Sequence, residues 1–245
     1  MRILSYNIHK GIGGRDRLYR LERVVGVIEH ENPDLICLQE VDRHCRRSSN
    51  HDQPKLLAEH FRAVAHAYQL NFHVDRGGYG NLVLSRWTFL RQHHISLRLH
   101  RRKTRGAQIL LVETPEGPLR LVNCHLGLAE SERQWQLEHL LGHHLFTESA
   151  EHPTLLIGDM NDWRNQLGRA ALARHGFEQV TSPPSRFRSF PAYLPMGSLD
   201  KAFARDVQIV QARIVRSAPA RVASDHLPLV IDFHLQRDAL SNGSR

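Results

Sequence analysis

Short apolar runs, each broken by a turn-forming cluster, set the rhythm of this chain. Arg2–Ile8 reads as a strand with Ile3, Tyr6 and Ile8 at its apolar centre. "DLICLQEV" is nearly continuous in apolar character, as expected of a strand buried on both faces. Further strands are predicted at "NFHVD", "GNLVLS", "ISLRL", "AQILLVET", "LRLVNCHL", "TLLIGDM", "SLDKAFA", "VQIVQARIV" and "PLVIDFHL", with "RGGYG" and "PEGP" as turns. Helical periodicity appears where Leu18, Leu21, Val24, Val25 and Ile28 recur, predicting a helix over 17–31 that Pro33 helps to stop. A second helix is predicted over 55–68. Ser131 and Gln134 match a capping box, predicting a third to about Thr147, and a fourth covers 162–175 with Gly176 as its stop. Residues 43–54 and 181–195 read as loops. Many strands and few helices predict two sheets packed face to face and flanked by helices. No repeat or linker divides the chain, so residues 1–235 are expected to form one domain and 236–245 a polar, frayed tail.

Composition narrows the setting. No apolar run approaches the ~20 residues of a membrane helix, and the N-terminus lacks the apolar stretch and small-residue cleavage site of a signal peptide. The three cysteines are odd in number, and Cys37 and Cys124 lie within apolar runs, which predicts no disulfide framework and a reducing, cytoplasmic location. A formal charge of +8 favours anionic partners, namely nucleic acid, phosphorylated metabolites or an anionic lipid surface, without choosing among them.

The chemistry concentrates where polar side chains interrupt apolar strands or end them: Asn7, Glu40, Asn81, Asn123, His125, Asp159, Asn161, Asp200, Asp225 and His226. An unpaired buried charge is costly, so such an accumulation needs a ligand to receive it. Carboxylate and amide oxygens are hard donors suited to Mg²⁺, Mn²⁺ or Ca²⁺ rather than zinc. Mg²⁺ takes only one or two carboxylates, so Glu40 alone can be its main anchor. The 18 histidines show neither paired-Cys spacing nor H-E-x-x-H, which argues against a structural zinc.

Taken in order, "LSYNIHKG", "CLQEV", "GNLVLSR", "VNCHLG", "GDMNDW", "SLDKAF" and "SDHLPL" resemble the motifs of the endonuclease/exonuclease/phosphatase superfamily, over essentially the whole chain from Leu4 to Leu229. The superfamily includes pancreatic DNases, abasic-site endonucleases, neutral sphingomyelinases and inositol polyphosphate phosphatases. "NIHKG", "GDMNDWR" and the "HLGL" variant look closest to the small bacterial YbhP-like group. The resemblance implies a DNase I-like four-layer α/β sandwich of two mixed sheets. It implies a Mg²⁺- or Mn²⁺-dependent phosphodiesterase, nuclease or phosphatase that acts by in-line attack of water.

The resemblance also assigns roles. Glu40 matches the main metal ligand, Asn7 a residue beside that metal and the phosphate, and Asp225 a second acidic position near the metal. Asp159 matches the carboxylate that orients or deprotonates the attacking water, and Asn161 a donor to the phosphate. His226 matches the histidine on the scissile phosphate, and Asp200 the carboxylate that orients it. His125 stands where relatives carry a second phosphate-side residue. Asn81 matches the polar residue of a "GN" pattern, and Arg105 a basic residue near the substrate.

Several readings stay open. Asn123 is expected to point away from His125 and to be structural. Trp135 and Trp163 are read as packing in preference to substrate stacking, and Asp162 as the cap of the following helix. The basic run Arg98–Arg105 is either a solvated loop or a contact for an anionic ligand. His9 stands where many nucleases of the superfamily carry an acid or amide, and no long DNA-gripping insert is present, which places a DNA-repair role in doubt. The expected partners are a phosphoester substrate (nucleic acid, phospholipid or phosphorylated small molecule) and an anionic membrane touched peripherally, with the protein a monomer. The alternative function is a catalytically silent module that binds nucleic acid or anionic lipid with the same fold.

Overall fold

The apolar runs assemble into two six-stranded mixed sheets in a computed structural model that describes residues 1–74, 76–148, 150–167 and 171–235. In chain order the elements are β1 (Arg2–Asn7), α1 (Leu21–Glu31), β2 (Leu35–Arg43), α2 (Gln53–His60), β3 (Ala65–Val74), β4 (Gly77–Ser85), β5 (Phe89–Ser96), β6 (Gly106–Thr114) and β7 (Gly117–His125). There follow α3 (Glu130–Leu141), α4 (His144–Thr147), β8 (Thr154–Asp159), α5 (Ala171–Arg174), β9 (Glu178–Gln179), β10 (Asp200–Arg205), β11 (Val207–Ile214), α6 (Ala220–Ala223) and β12 (Leu229–Leu235).

The first sheet runs β11-β12-β1-β2-β4-β3 and the second β5-β6-β7-β8-β10-β9. Each has one parallel pair at its centre, β1–β2 and β7–β8, flanked by antiparallel neighbours. The near-continuous apolar runs are explained by burial on both faces. Leu121 and Leu155 join the core between the sheets, whereas the next residues, Val122 and Leu156, pack outward with Leu137, Leu140 and Phe146 of α3 and α4. Val24, Ile28 and Leu57 bring α1 and α2 into the core cluster of the first sheet. The result is the four-layer α/β sandwich.

A chain of side-chain amides bridges the two sheets through the core. Gln39 Nε2 donates to Asn123 Oδ1 (2.8 Å), Asn123 Nδ2 to Gln108 Oε1 (3.0 Å), and Gln108 Nε2 to the Ala67 carbonyl (2.8 Å). This chain of amides ties β2 to β7, β6 and β3, so Asn123 is structural; it does not point away from His125, however, because the two are two residues apart and share the inner face of β7.

Six local expectations change. The helix predicted over 55–68 ends at His60, and β3 begins at Ala65. The helix predicted over 17–31 starts only at Leu21. Ser131 lies inside α3, whose N-cap is Ala129 and makes no side-chain cap bond; Gly142 ends that helix, and α4 follows separately. Of the helix expected over 162–175, the one α-helical segment among the described residues is α5, and residues 168–170 lie outside them. Gly176 does stop it, at φ 75°. Of "ISLRL" only Ile95 and Ser96 are strand, the end of β5, which starts at Phe89, and Gly77–Gly80 of the expected turn belong to β4. The tail, 236–245, lies outside the described residues. Among the described residues no helix is long and apolar enough to cross a membrane.

Candidate active site

The two parallel pairs deliver their C-terminal ends to the same edge of the sandwich. Asn7 ends β1, Glu40 lies near the end of β2, His125 ends β7 and Asp159 ends β8. β10 runs antiparallel, so its first residue, Asp200, pairs directly with Asp159. β12 is antiparallel to β1, which brings Asp225 and His226, just before it, to that edge as well. Clefts at the carboxyl ends of parallel strands are where α/β sheets bind ligands. Here one cleft is lined by Asn7, Glu40, Arg105, His125, Asp159, Asn161, Asp225 and His226.

Local backbone distortions aim these groups. A bulge in the β2–β4 ladder falls between Leu38 and Val41, and Glu40 sits within it at φ 57°. The bulge turns Glu40 out of the strand's alternation and toward the cleft. Gly158 has φ 146°, and a Cβ there would stand 1.9 Å from the Cys124 carbonyl oxygen, so only glycine lets β8 lie this close to β7 before Asp159. Asn161 adopts φ 49°. Asp162 accepts from the backbone N–H groups of Gln166 and Leu167 (both 3.1 Å), so it pins the following loop and leaves Asp159 free.

Asp159 is the hub. Its Oδ2 accepts from Asn7 Nδ2 at 3.0 Å, with His125 Nε2 at 3.3 Å and His226 Nε2 at 3.7 Å. Its Oδ1 accepts from the Asn161 backbone N–H (3.1 Å). Arg105 Nη1 lies 3.1 Å from His125 Nδ1. A guanidinium can only donate, so Nδ1 is the acceptor and the proton of neutral His125 faces Asp159. Burial, aided by Arg105, holds the His125 pKa well below the ordinary histidine value. His226 is the opposite case. Burial pushes it down, but Asp200 and Asp159 overcome this and raise it to about 10. Nδ1 of His226 meets Asp200 Oδ2 at 2.8 Å, and the same carboxylate oxygen accepts from Ser189 Oγ. Burial raises Asp159 to about 6, against the opposing pull of His226. One neutral imidazole, one imidazolium and a carboxylate thus meet at a single point.

A divalent cation fits the donor set. Glu40 forms an ion pair with the Lys10 ammonium. Burial alone would raise the Glu40 pKa, but Lys10 reverses this and holds it far below the carboxylate range. A lysine cation therefore already rests where a metal would be anchored. Asp225 and Asn7 line the same cleft and carry further hard oxygens, the Asn7 Oδ1 also accepting from the His9 backbone N–H (3.0 Å). The ligand atoms of Asp159, Asp200 and His226 also lie within 4.8 Å of one another, but the His226 ring fills the gap between the two carboxylates. Glu40 is the better anchor.

Two sequence candidates stand outside the lining. Asp200 lies behind His226, fully buried. Asn81 is also fully buried, and its Nδ2 donates to the Gly106 carbonyl (2.9 Å), so it supports the strand after Arg105 instead of facing the cleft. Asn161 lines the cleft, but its Nδ2 is engaged by the Leu126 carbonyl (2.9 Å). Lys10, Leu128 and Phe190, which no motif singles out, also line the cleft, as does Lys103 of the basic run Arg98–Arg105, and Ser189 lies behind Asp200. Trp163, expected to be packing, is exposed at the rim, edge-on to Phe190. The one available signal was the order of "NIHKG", where Lys10 follows Asn7 by three residues at a turn.

Known proteins are similar to this chain in sequence or in fold. Residues 4–226 match the model of the Endonuclease/Exonuclease/phosphatase family. The uncharacterized protein YbhP of Escherichia coli (strain K12) is 28% identical over 250 residues, covering 96% of each chain. An endonuclease/exonuclease/phosphatase from Beutenbergia cavernae superposes with a TM-score of 0.78 at 23% identity, over 96% of this chain and 71% of that one. The mannosyl-6-phosphatase Bt3783 of Bacteroides thetaiotaomicron gives 0.69 at 13% identity, over 96% and 100%. These last two likenesses concern the fold. With the family model matched across the fold and the cleft, the chain belongs to the Endonuclease/Exonuclease/phosphatase family.

Proposed function

We propose that this protein is a Mg²⁺- or Mn²⁺-dependent hydrolase of phosphoesters, a phosphodiesterase, nuclease or phosphatase, that uses water as its nucleophile. The observation that carries this reading is the convergence of Asn7, His125 and His226 on one carboxylate oxygen of Asp159, from two sheets. Phosphoryl transfer is mostly positioning and charge stabilisation, and this cleft offers both. A Bt3783-type phosphatase activity in a protein of the same fold supports the class and leaves the substrate open.

Asp159, raised toward neutrality, takes the proton of the attacking water as its oxygen bonds to phosphorus. Asn7 and neutral His125 keep that carboxylate pointed at the water. His226, held protonated by Asp200, offers Nε2–H to a non-bridging or leaving oxygen as the P–O bond breaks. Arg105 and Lys103 add positive charge for the phosphate. Glu40, with Asp225 and Asn7, would hold the metal, which when bound polarises a phosphoryl oxygen and steadies the leaving group.

The test is turnover of a generic phosphodiester, bis(p-nitrophenyl) phosphate, by Glu40→Gln, Asp159→Asn and His226→Ala. Each is expected to lose about 10²-fold or more while keeping a cooperative melt. Near wild-type rates in all three would overturn the reading.

A further inference from the structure

The rim of the cleft carries an unusual surface. Residues 190–197 form a small hairpin in which Phe190 pairs with Gly197. Met196 N (2.9 Å) and Gly197 N (2.8 Å) both donate to the Phe190 carbonyl, and Leu194 N donates to that of Pro191 (3.0 Å). The hairpin is closed by its own backbone, with Pro191 and Pro195 stiffening its tip. Yet that tip presents Tyr193, Leu194 and Met196 at 55%, 60% and 61% exposure. Its base leans on Trp163, itself 55% exposed, whose ring leaves no room for a Cβ at Gly197. Phe190 continues inward to within 4.8 Å of the His226 ring. Leu128, 73% exposed, stands on the loop after β7 and lines the same cleft. Other large apolar side chains are exposed at scattered positions, so this gathering is distinctive.

Charge completes the picture. Lys103 lines the cleft with Leu128 and Trp163, and Arg101 is exposed beside it on the β5–β6 loop. Arg188, two residues before the hairpin, is exposed too. The nearby acids are matched: Glu132 by Arg102 (3.4 Å) and Glu130 by Arg164 (3.6 Å). Rigid apolar tips ringed by cations complement a surface with a hydrocarbon interior and an anionic face. Single-stranded nucleic acid would instead use flat aromatic platforms, for which aliphatic Leu128, Leu194 and Met196 are poor.

We infer that this rim docks on an anionic phospholipid bilayer, with Tyr193, Leu194, Met196 and Leu128 entering the interface. Docking would place the mouth of the cleft against the headgroups, so the substrate class is a phosphoester displayed at a lipid surface. The docking stands on the surface itself; the substrate class rests on the hydrolytic reading above.

The experiment is flotation of the full chain, in EDTA, with vesicles of phosphatidylcholine alone or with phosphatidylglycerol. The expected result is co-flotation with the anionic vesicles, weakened by salt, and a blue shift of tryptophan emission that Trp163→Phe removes. The double variant Leu194→Asp/Met196→Asp should lose at least tenfold in partitioning while its melting curve is unchanged. Failure of the wild type to float, or equal flotation of the double variant, would overturn the inference. So would wild-type self-association that the double variant abolishes, or tighter binding to single-stranded DNA that displaces the vesicles. Flotation without turnover of any phosphodiester or phosphomonoester would leave docking intact and remove the hydrolytic reading.

Discussion

The ammonium of Lys10 is paired with the carboxylate of Glu40 inside the cleft. Lys10 reaches it from a tight turn in which His9 and Lys10 adopt φ 46° and 65°. The lysine thus serves as counter-ion to a carboxylate that burial would otherwise penalise. A divalent cation at Glu40 has to displace it. Lys10→Met is expected to melt earlier than wild type in EDTA and to gain more from added Mn²⁺, with an apparent Kd at least about tenfold tighter by calorimetry. Equal Kd values would show that Lys10 and the metal do not share Glu40.

The histidines and Asp159 predict the pH profile. Asp159 acts as a base only when ionised, so kcat/KM is expected to fall as pH drops through about 6. His226 acts only when protonated, so activity is expected to fall again as pH rises toward about 10. Asp200→Asn removes the main charge that holds His226 protonated, and the alkaline limb should then move to lower pH. A profile flat from pH 5 to 8 in the wild type would contradict the assignment of Asp159.

Lys201 gives a prediction about stability alone. It is fully buried next to Asp200, donates to Asn165 Oδ1 at 2.9 Å, and is pushed down to about 8 by burial despite Asp162 and Asp200. In the unfolded chain it keeps its proton to near pH 10.5. Between these values the unfolded state binds more protons, so stability rises with pH in that window. Relative to Lys201→Met, the wild type should gain about 1–3 kcal/mol between pH 7.5 and about 10 in parallel urea titrations. A constant difference would mean that the lysine is not held below its ordinary range.

Gly158 tests how the fold aims Asp159. Gly158→Ala would set a methyl against the Cys124 carbonyl in a left-handed-side conformation. The expected cost is about 3 kcal/mol or more, read as a lower urea midpoint with unchanged m-value. An alanine variant as stable as wild type would show that the two strands can separate there without penalty.

Much of this was legible in the sequence, and the remainder fails for identifiable reasons. Strand ends such as those at Asn7, His125 and Asp159 were visible because apolar runs stop abruptly at polar groups. Only the second half of β3 is legible, as "NFHVD"; residues 65–68 read as the end of a helix because the buried polar Gln69 hides the alternation that would extend the strand back to Ala65. Gln69 is buried only because the Ile95 carbonyl, distant in sequence, accepts its amide (3.0 Å). Asn81 carried a motif's polarity yet serves a neighbouring strand's backbone. The bulge at Glu40 depends on pairing with β4, and the apolar hairpin at 190–197 read as a proline-rich loop, because exposure is set by tertiary packing.

The most direct measurement is hydrolysis of bis(p-nitrophenyl) phosphate in ¹⁸O-water with Mn²⁺, followed by mass analysis of both products. The account predicts one ¹⁸O in the phosphate product, none in the nitrophenol, and loss of the reaction in Asp159→Asn. Label in the nitrophenol, or undiminished labelling of phosphate by Asp159→Asn, would contradict it.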